Sequence, residues 1–565
     1  MSRSTDVKIR YAMVDITAAE DGTISITGDT QSFSDTAELV DDEHSILKWA
    51  TLEKNSHVLD DTQLLLPEDI SSEFMGVWSD EISGADGKFT KPVTMTVKFT
   101  NAHTSAGVTF IFSEPTYDWC NDLAITWLDA DNGVISEKRY YPDSAAAFCE
   151  NQIENFYGLK VIFYSTNKPY RFLKLTGIKY GLIMNLDGSS LTSCTILEEI
   201  DPSSSELSVN TLDVQFYTDS DKYALMALSG AYVLLQERQE VRVTGVINGM
   251  ETNMGTFYLD KPTTTESIIT LECVDLIGTM SDSTYLGGYW PDGVAAETLI
   301  AEIMQAAGVK TNQYAIEEGL KTIVVKGYLP ISTPREALQQ VCFAMCAVAD
   351  CSRSNRVNIK TLDQTAASIP LERKVTGHTQ ECSTLVTDVE VYTHHYAKSM
   401  EKSELFSERR SAGEYTIQFS SPASNLSVTG ATLNESGINY AKITVTASEE
   451  TDVIITGYTY DDSTNLAASV SLDKLPAGAK RNTKTVTDCT LDVNAQNLAQ
   501  HLYDYYNQRI TDSGQIILSE EKVGNKVDLH SASEKTLSGI VQQLDINLYG
   551  GYIAKASIQG GNTNG

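Results

Sequence analysis

The sequence predicts a mainly β, multidomain α+β protein with a few helices: a β-sandwich followed by β-barrel and α+β domains. Three observations predict it. The chain has 565 residues, and at roughly 150 residues per domain that length suggests about four domains. Apolar and polar residues alternate over many short runs, the period of a half-buried strand. Helical periodicity is confined to a few segments after residue 290. Hydrophobic residues make up 41% of the chain, so each domain has the means to bury a core, and the composition is that of a folded protein.

Residues 1–40 are polar, with one alternating run at Val7-Lys8-Ile9-Arg10-Tyr11, and read as an arm or a docking strand for a sheet edge on a neighbour. Residues 41–181 read as a sandwich. Val93, Met95, Val97 and Phe99 alternate with Thr94, Thr96, Lys98 and Thr100. After a turn expected at 103–107, Val108, Phe110 and Phe112 continue the pattern, and Leu123–Trp127 and Leu159–Phe163 add further strands. Residues 182–290 form a second β-rich domain, with the hairpin signal Asn248-Gly249 between Val241–Ile247 and Met254–Leu259.

An α+β domain over 291–375 opens with a helix at 294–307, ended by Gly308. A second helix starts at Thr333-Pro334-Arg335-Glu336, where Thr333 caps, Pro334 suits the first helical position and Glu336 completes a capping box. Its apolar face is Ala337, Leu338, Val341, Cys342, Met345 and Val348. Residues 376–410 return to strands, 411–475 read as an inserted sandwich-like domain, and 476–559 rejoin the main body through a helix at 494–509. Residues 560–565 read as a disordered tail.

Charge and motifs narrow the function. Acidic residues outnumber basic ones 76 to 42, a net charge of −34. Nucleic-acid affinity rests on Lys and Arg neutralising phosphates, so tight nucleic-acid binding is disfavoured, as is an anionic membrane surface. No apolar run of about 18 residues suggests a membrane anchor, and the polar N-terminus lacks the apolar core of a secretory signal. The nine cysteines show no CxxC pair and read as reduced, buried thiols, with Cys342, Cys346 and Cys351 in the core rather than on a metal.

No GxxxxGK[ST], GxGxxG, HExxH or GxSxG occurs, so no catalytic residue, metal or cofactor is assigned and no enzyme is expected. His394 and His395 are strand neighbours that point to opposite faces, which does not suit one metal. Asp129-Ala-Asp131-Asn132-Gly133 resembles a truncated calcium loop without its distal Glu and reads as a hairpin turn. Tyr and Trp at 117, 119, 127, 140, 141, 164 and 170 crowd the first sandwich. Exposed aromatic rings suit the apolar C–H face of a sugar. Trp127 has the parity of Leu123 and Ile125 and reads as core. Tyr117 and Trp119 lie in a loop and are the glycan-binding candidates, against the plainer reading that they too pack the sandwich.

Several segments of residues 182–363 resemble tail proteins encoded by prophages of Gram-positive bacteria. They are Ile196–Leu212, Gly255–Asp260, Asp275–Gly278, Gly287–Tyr289, and the run LPISTPREALQQVCFAMCAVADCSRSNRVNI from Leu329. DWCNDLAITWLDADNG and NKPYRFLKLTGIKYG, within 41–181, resemble the carbohydrate-binding-module-like sandwich often fused to such hubs. The resemblance implies a baseplate or tail-tip hub at the tip of a virion tail, assembled in the bacterial host cytoplasm. It implies a homotrimeric ring that closes the tail tube beside distal tail, tape-measure and receptor-binding or fibre proteins, with host cell-wall glycan as a further partner. The alternative is a free-standing glycan-binding adhesin or a carbohydrate-active accessory protein.

Overall fold

The computed structural model describes residues 4–27, 30–40, 53, 74–113, 115–217, 238–265, 268–362, 366–375, 377–447, 449–531 and 535–562. The chain is mainly β with a few short helices, in several separately cored parts. Among the described residues no helix is long and apolar enough to cross a membrane.

Among the described residues the largest sheet has 13 strands. Its main path runs Thr379–Cys382, Ile510–Ile517, Ile553–Asn562, Thr536–Asn547, Leu191–Glu199, Thr211–Tyr217, Ile268–Val274, Met250–Thr265, Glu240–Ile247, Thr5–Val14, Gly181–Leu186. Every pairing along this path is antiparallel. The sheet curls on itself. The Tyr552 hydroxyl donates to the Asp6 carbonyl at 2.8 Å and accepts from the Val246 amide at 3.0 Å, although their strands lie far apart along the sheet. Val214, Val241, Leu271, Val541, Leu544 and Ile546 fill the interior. The Asn248-Gly249 hairpin forms as expected, both residues taking positive φ (52° and 83°) as its tight turn requires.

Residues 5–14 are therefore not a free arm. They pair with 241–247 on one side and with 181–186 on the other, and Val7, Ile9 and Tyr11 are buried. The alternation was legible; partners more than 160 residues away were not. The expected disordered tail needs a similar correction. Gly560 and Gly561 pair with Gly539 and Ser538, so 560–562 finish a strand, while 563–565 lie outside the described residues.

The second core gathers the helices Ala296–Ala306, Pro334–Met345 and Ala495–Tyr506 with two three-stranded sheets. The helix at Pro334 has the capping box the sequence expects: Thr333 Oγ1 accepts from the Glu336 amide at 3.2 Å, and Glu336 Oε2 accepts from the Thr333 amide at 2.9 Å. It stops at Cys346, which adopts left-handed φ of 54°.

Residues 403–455 carry their own small core around Ile417, Ile443, Val453 and Ile455. One strand, Thr451–Ser471, joins this part to the rest. It pairs first with 403–410 and 423–429, then with 388–398.

The N-terminal sandwich is built on two long bent strands, Lys88–Phe112 and Ala146–Thr166. The turn expected at 103–107 is instead a run of bulges within one strand, with register shifts from Lys98 to Gly107. Both strands belong to one seven-stranded sheet among the described residues, and Met95, Phe110, Ile125, Trp127 and Phe163 share its core. Trp127 is fully buried, edge-on to Phe156 at 4.9 Å. Of the residues between 41 and 73 only Glu53 is described, so that part of the expected sandwich lies outside the described residues.

Candidate functional site

The loop that carries Tyr117 and Trp119 is held from below by Asp118. The Asp118 side chain is buried and meets Lys174 Nζ at 2.8 Å, Lys168 Nζ at 3.1 Å and Arg171 Nε at 3.4 Å. Lys174 also binds buried Glu53 at 2.7 Å. Burial pushes the Asp118 carboxyl up, but Lys174 and Lys168 outweigh it and hold the group below its ordinary value. Ser113 Oγ and Thr116 Oγ1 close the turn at 2.8 Å, and Tyr117 takes φ of 50°.

This anchoring treats the two candidates differently. Tyr117 is 71% exposed, with its carbonyl accepting from Asn167 Nδ2 at 3.0 Å. Trp119 is half-buried against the sandwich core. Its amide donates to Asn167 Oδ1 at 3.1 Å and its indole N–H to the Pro142 carbonyl at 3.2 Å. The indole donor is thus already used, and Trp119 works as a strut between the loop and residues 140–142.

Beside that strut lies a group the sequence did not single out. On the outer face of strands Cys120–Leu128, Val134–Tyr140 and Ala146–Thr166, Arg139 binds Asp122 through two hydrogen bonds, Nε to Oδ1 and Nη2 to Oδ2, both 2.7 Å. The Arg139 guanidinium lies 4.6 Å from the centre of the Tyr164 ring and 5.9 Å from that of Tyr141. Tyr141 is 71% exposed and Tyr164 half-buried. The shared parity of 139 and 141 was readable; the cross-strand partners 122 and 164 need the register.

The histidine pair and the acidic turn form no site. His394 bonds Asp462 at 2.8 Å and the Thr487 carbonyl at 2.7 Å, while His395 is exposed. Asp129 Oδ1 accepts from the Asp131 and Gly133 amides at 2.9 and 2.6 Å, which makes that motif a turn. Ser368 Oγ meets His530 Nε2 at 3.0 Å, but the other ring nitrogen faces the Thr536 hydroxyl at 3.2 Å. That contact lacks the carboxylate that orients and stabilises imidazolium in a hydrolytic triad.

All nine cysteines are free thiols. Burial pushes Cys342 up to about 12 and Cys346 up to about 11, the opposite of an activated nucleophile. Two depart from the expectation of buried thiols: Cys346 is only half-buried at its helix end, and Cys382 is exposed in a sheet-edge strand.

No family model matches the chain, and no curated protein matches its sequence. Solved structures give distant likenesses. A prophage tail protein from Listeria monocytogenes is 9% identical, covering 68% of this chain and 92% of its own, at a TM-score of 0.37. A prophage tail protein from Shewanella oneidensis is 11% identical over 67% of this chain and 93% of its own, at 0.36. A tail protein from Neisseria meningitidis is 9% identical over 66% and 92%, at 0.38. At these scores the likeness decides neither fold nor function.

Proposed function

We propose that this chain is a structural subunit of a phage or phage-tail-like particle, the trimeric hub of its tail tip or baseplate. In this reading it closes the tail tube, contacts the distal tail and tape-measure proteins, anchors receptor-binding or fibre proteins, and turns its sandwich toward host-surface glycans. The role needs no catalytic step.

The observation that carries the reading is how the hub-resembling segments meet. The run from Leu329 folds as strand end, helix Pro334–Met345 and strands Val348–Asp350 and Val357–Lys360. Between those last strands Arg353 reaches Glu198, inside the resembling segment Ile196–Leu212. Arg353 Nε to Glu198 Oε1 is 2.9 Å, with both side chains buried. Two segments that resemble one family by sequence are therefore locked to each other in the fold. The net charge of −34 suits a tube wall along which DNA slides, since an acidic lining repels phosphate.

Light scattering on the purified full chain tests the ring: a mass three times the 61.9 kDa of one chain is expected. A monomer at every concentration, with no incorporation into tail particles, would overturn it. The exposed Tyr117 and Tyr141 favour one other reading, a free-standing glycan-binding adhesin. It expects the monomer to retain glycans.

A further inference from the structure

We propose that the outer sandwich face at Asp122, Arg139, Tyr141 and Tyr164 binds a neutral saccharide chain. The proposal rests on the glycan half of the reading above and is independent of the hub. It moves the contact from Trp119, whose indole donor is spent on Pro142, to the neighbouring strands.

The chemistry follows from what each group has left. A guanidinium has five N–H donors. Arg139 gives two to Asp122, which leaves donors on Nη1 and Nη2 beside carboxylate oxygens that keep free lone pairs. Donors and acceptors thus stand side by side, the pattern that adjacent sugar hydroxyls match. The two hydrogen bonds and the Tyr164 ring under the guanidinium fix the fork in place. Tyr141, 71% exposed at the end of its strand, offers a ring face for the C–H side of a pyranose. Trp119, bonded to the Pro142 carbonyl, braces the backbone beside Tyr141.

Charge selects the class. The Arg139 cation is neutralised by Asp122, so an acidic sugar meets no free positive charge here and is repelled by a chain of net charge −34. A neutral glycan has no such penalty. The structural alternative, a surface ion pair that merely stiffens the sheet, gives no saccharide binding.

The test is a printed array of neutral oligosaccharides and their uronic-acid or sialylated counterparts, probed with the full chain and its variants. Retention of neutral glycans over acidic ones is expected. Tyr141→Ala and Arg139→Ala should each weaken it by about tenfold or more, and Arg139→Lys should behave like Arg139→Ala because an ammonium cannot make the paired contact. Met400→Ala, at an exposed position outside this face, should bind as the parent does. Near-ultraviolet circular dichroism checks that each variant is folded.

If Tyr141→Ala and Arg139→Ala bind normally while Tyr117→Ala or Trp119→Ala abolishes retention, the face is wrong and the loop is the site. Preference for acidic glycans overturns the charge argument. No retention of any glycan by the parent chain removes the glycan reading itself.

Discussion

At the scale of single residues, buried carboxylates separate those that stabilise from those that the fold tolerates. Asp275 is fully buried and caps the short helix Leu276–Thr279. Its oxygens accept from the amides of Gly278 and Asn210, each at 3.0 Å. Burial dominates over these bonds and raises its pKa to about 7. An unfolded Asp titrates near 4, at about 3.9, so the native state holds this proton more tightly than the unfolded one. The contribution is fully present below pH ~4 and is lost as pH rises toward ~7, at up to about 1.4 kcal/mol per pH unit. Urea unfolding at a series of pH values reads this slope. Asp275→Asn keeps an acceptor for the cap and removes the titration, so its slope between pH ~4 and ~7 should be flatter. Identical slopes for parent and variant would rule out Asp275 as the source.

At the scale of elements, much was legible because its causes are local. Alternation placed the strands around Val93–Phe99 and Leu123–Trp127, Thr333-Pro334 with Glu336 placed a helix start, and Asn248-Gly249 placed a hairpin. What was not legible depends on distant partners. Nothing near Arg139 announces Asp122 and Tyr164. Nothing near residues 98–107 says that bulges will bend one strand rather than end it. The Glu198–Arg353 pair belongs to the same class, since it joins strand Leu191–Glu199 to a loop 155 residues on. Burial pushes the Glu198 carboxyl up, while Arg353 pulls against it. Removing one partner strands the other charge in the interior. Glu198→Met and Arg353→Met should each cost about 3–5 kcal/mol in urea unfolding, and the double Glu198→Met/Arg353→Met variant much less than their sum. Additive costs would mean that the pair is not energetically coupled.

At the scale of the whole molecule, the sandwich is an excursion from the curled sheet. The chain leaves after Val14 and returns at Gly181, and the Asp15 amide donates to the Tyr180 carbonyl at 2.9 Å where the two crossings meet. Within the stretch whose sequence suggests an arm, Thr5–Val14 and Thr23–Thr27 are strands of two different sheets. Between them the helix Ile16–Asp21 is fastened to the sandwich by His103. Its Nδ1 lies 3.0 Å from Asp15 and its Nε2 3.0 Å from Asp21, beneath Phe99 and Phe156. The Asn101 amide, then His103, hold the Asp21 carboxyl well below its usual range. A depressed carboxyl contributes stability above its ordinary value near 4, and that contribution is lost as pH falls below it. His103→Ala removes the group between two carboxylates and leaves them facing each other. Calorimetry at neutral pH should show the sandwich transition lowered by about 5 °C or more. Limited proteolysis should cut within 15–22 sooner than in the parent, because the crossing has lost its fastening. The loss should shrink only well below pH ~4, where Asp21 of the parent is itself protonated. An unchanged transition and cleavage pattern would mean that backbone pairing at Asp15 and Gly181 alone fixes the sandwich to the sheet.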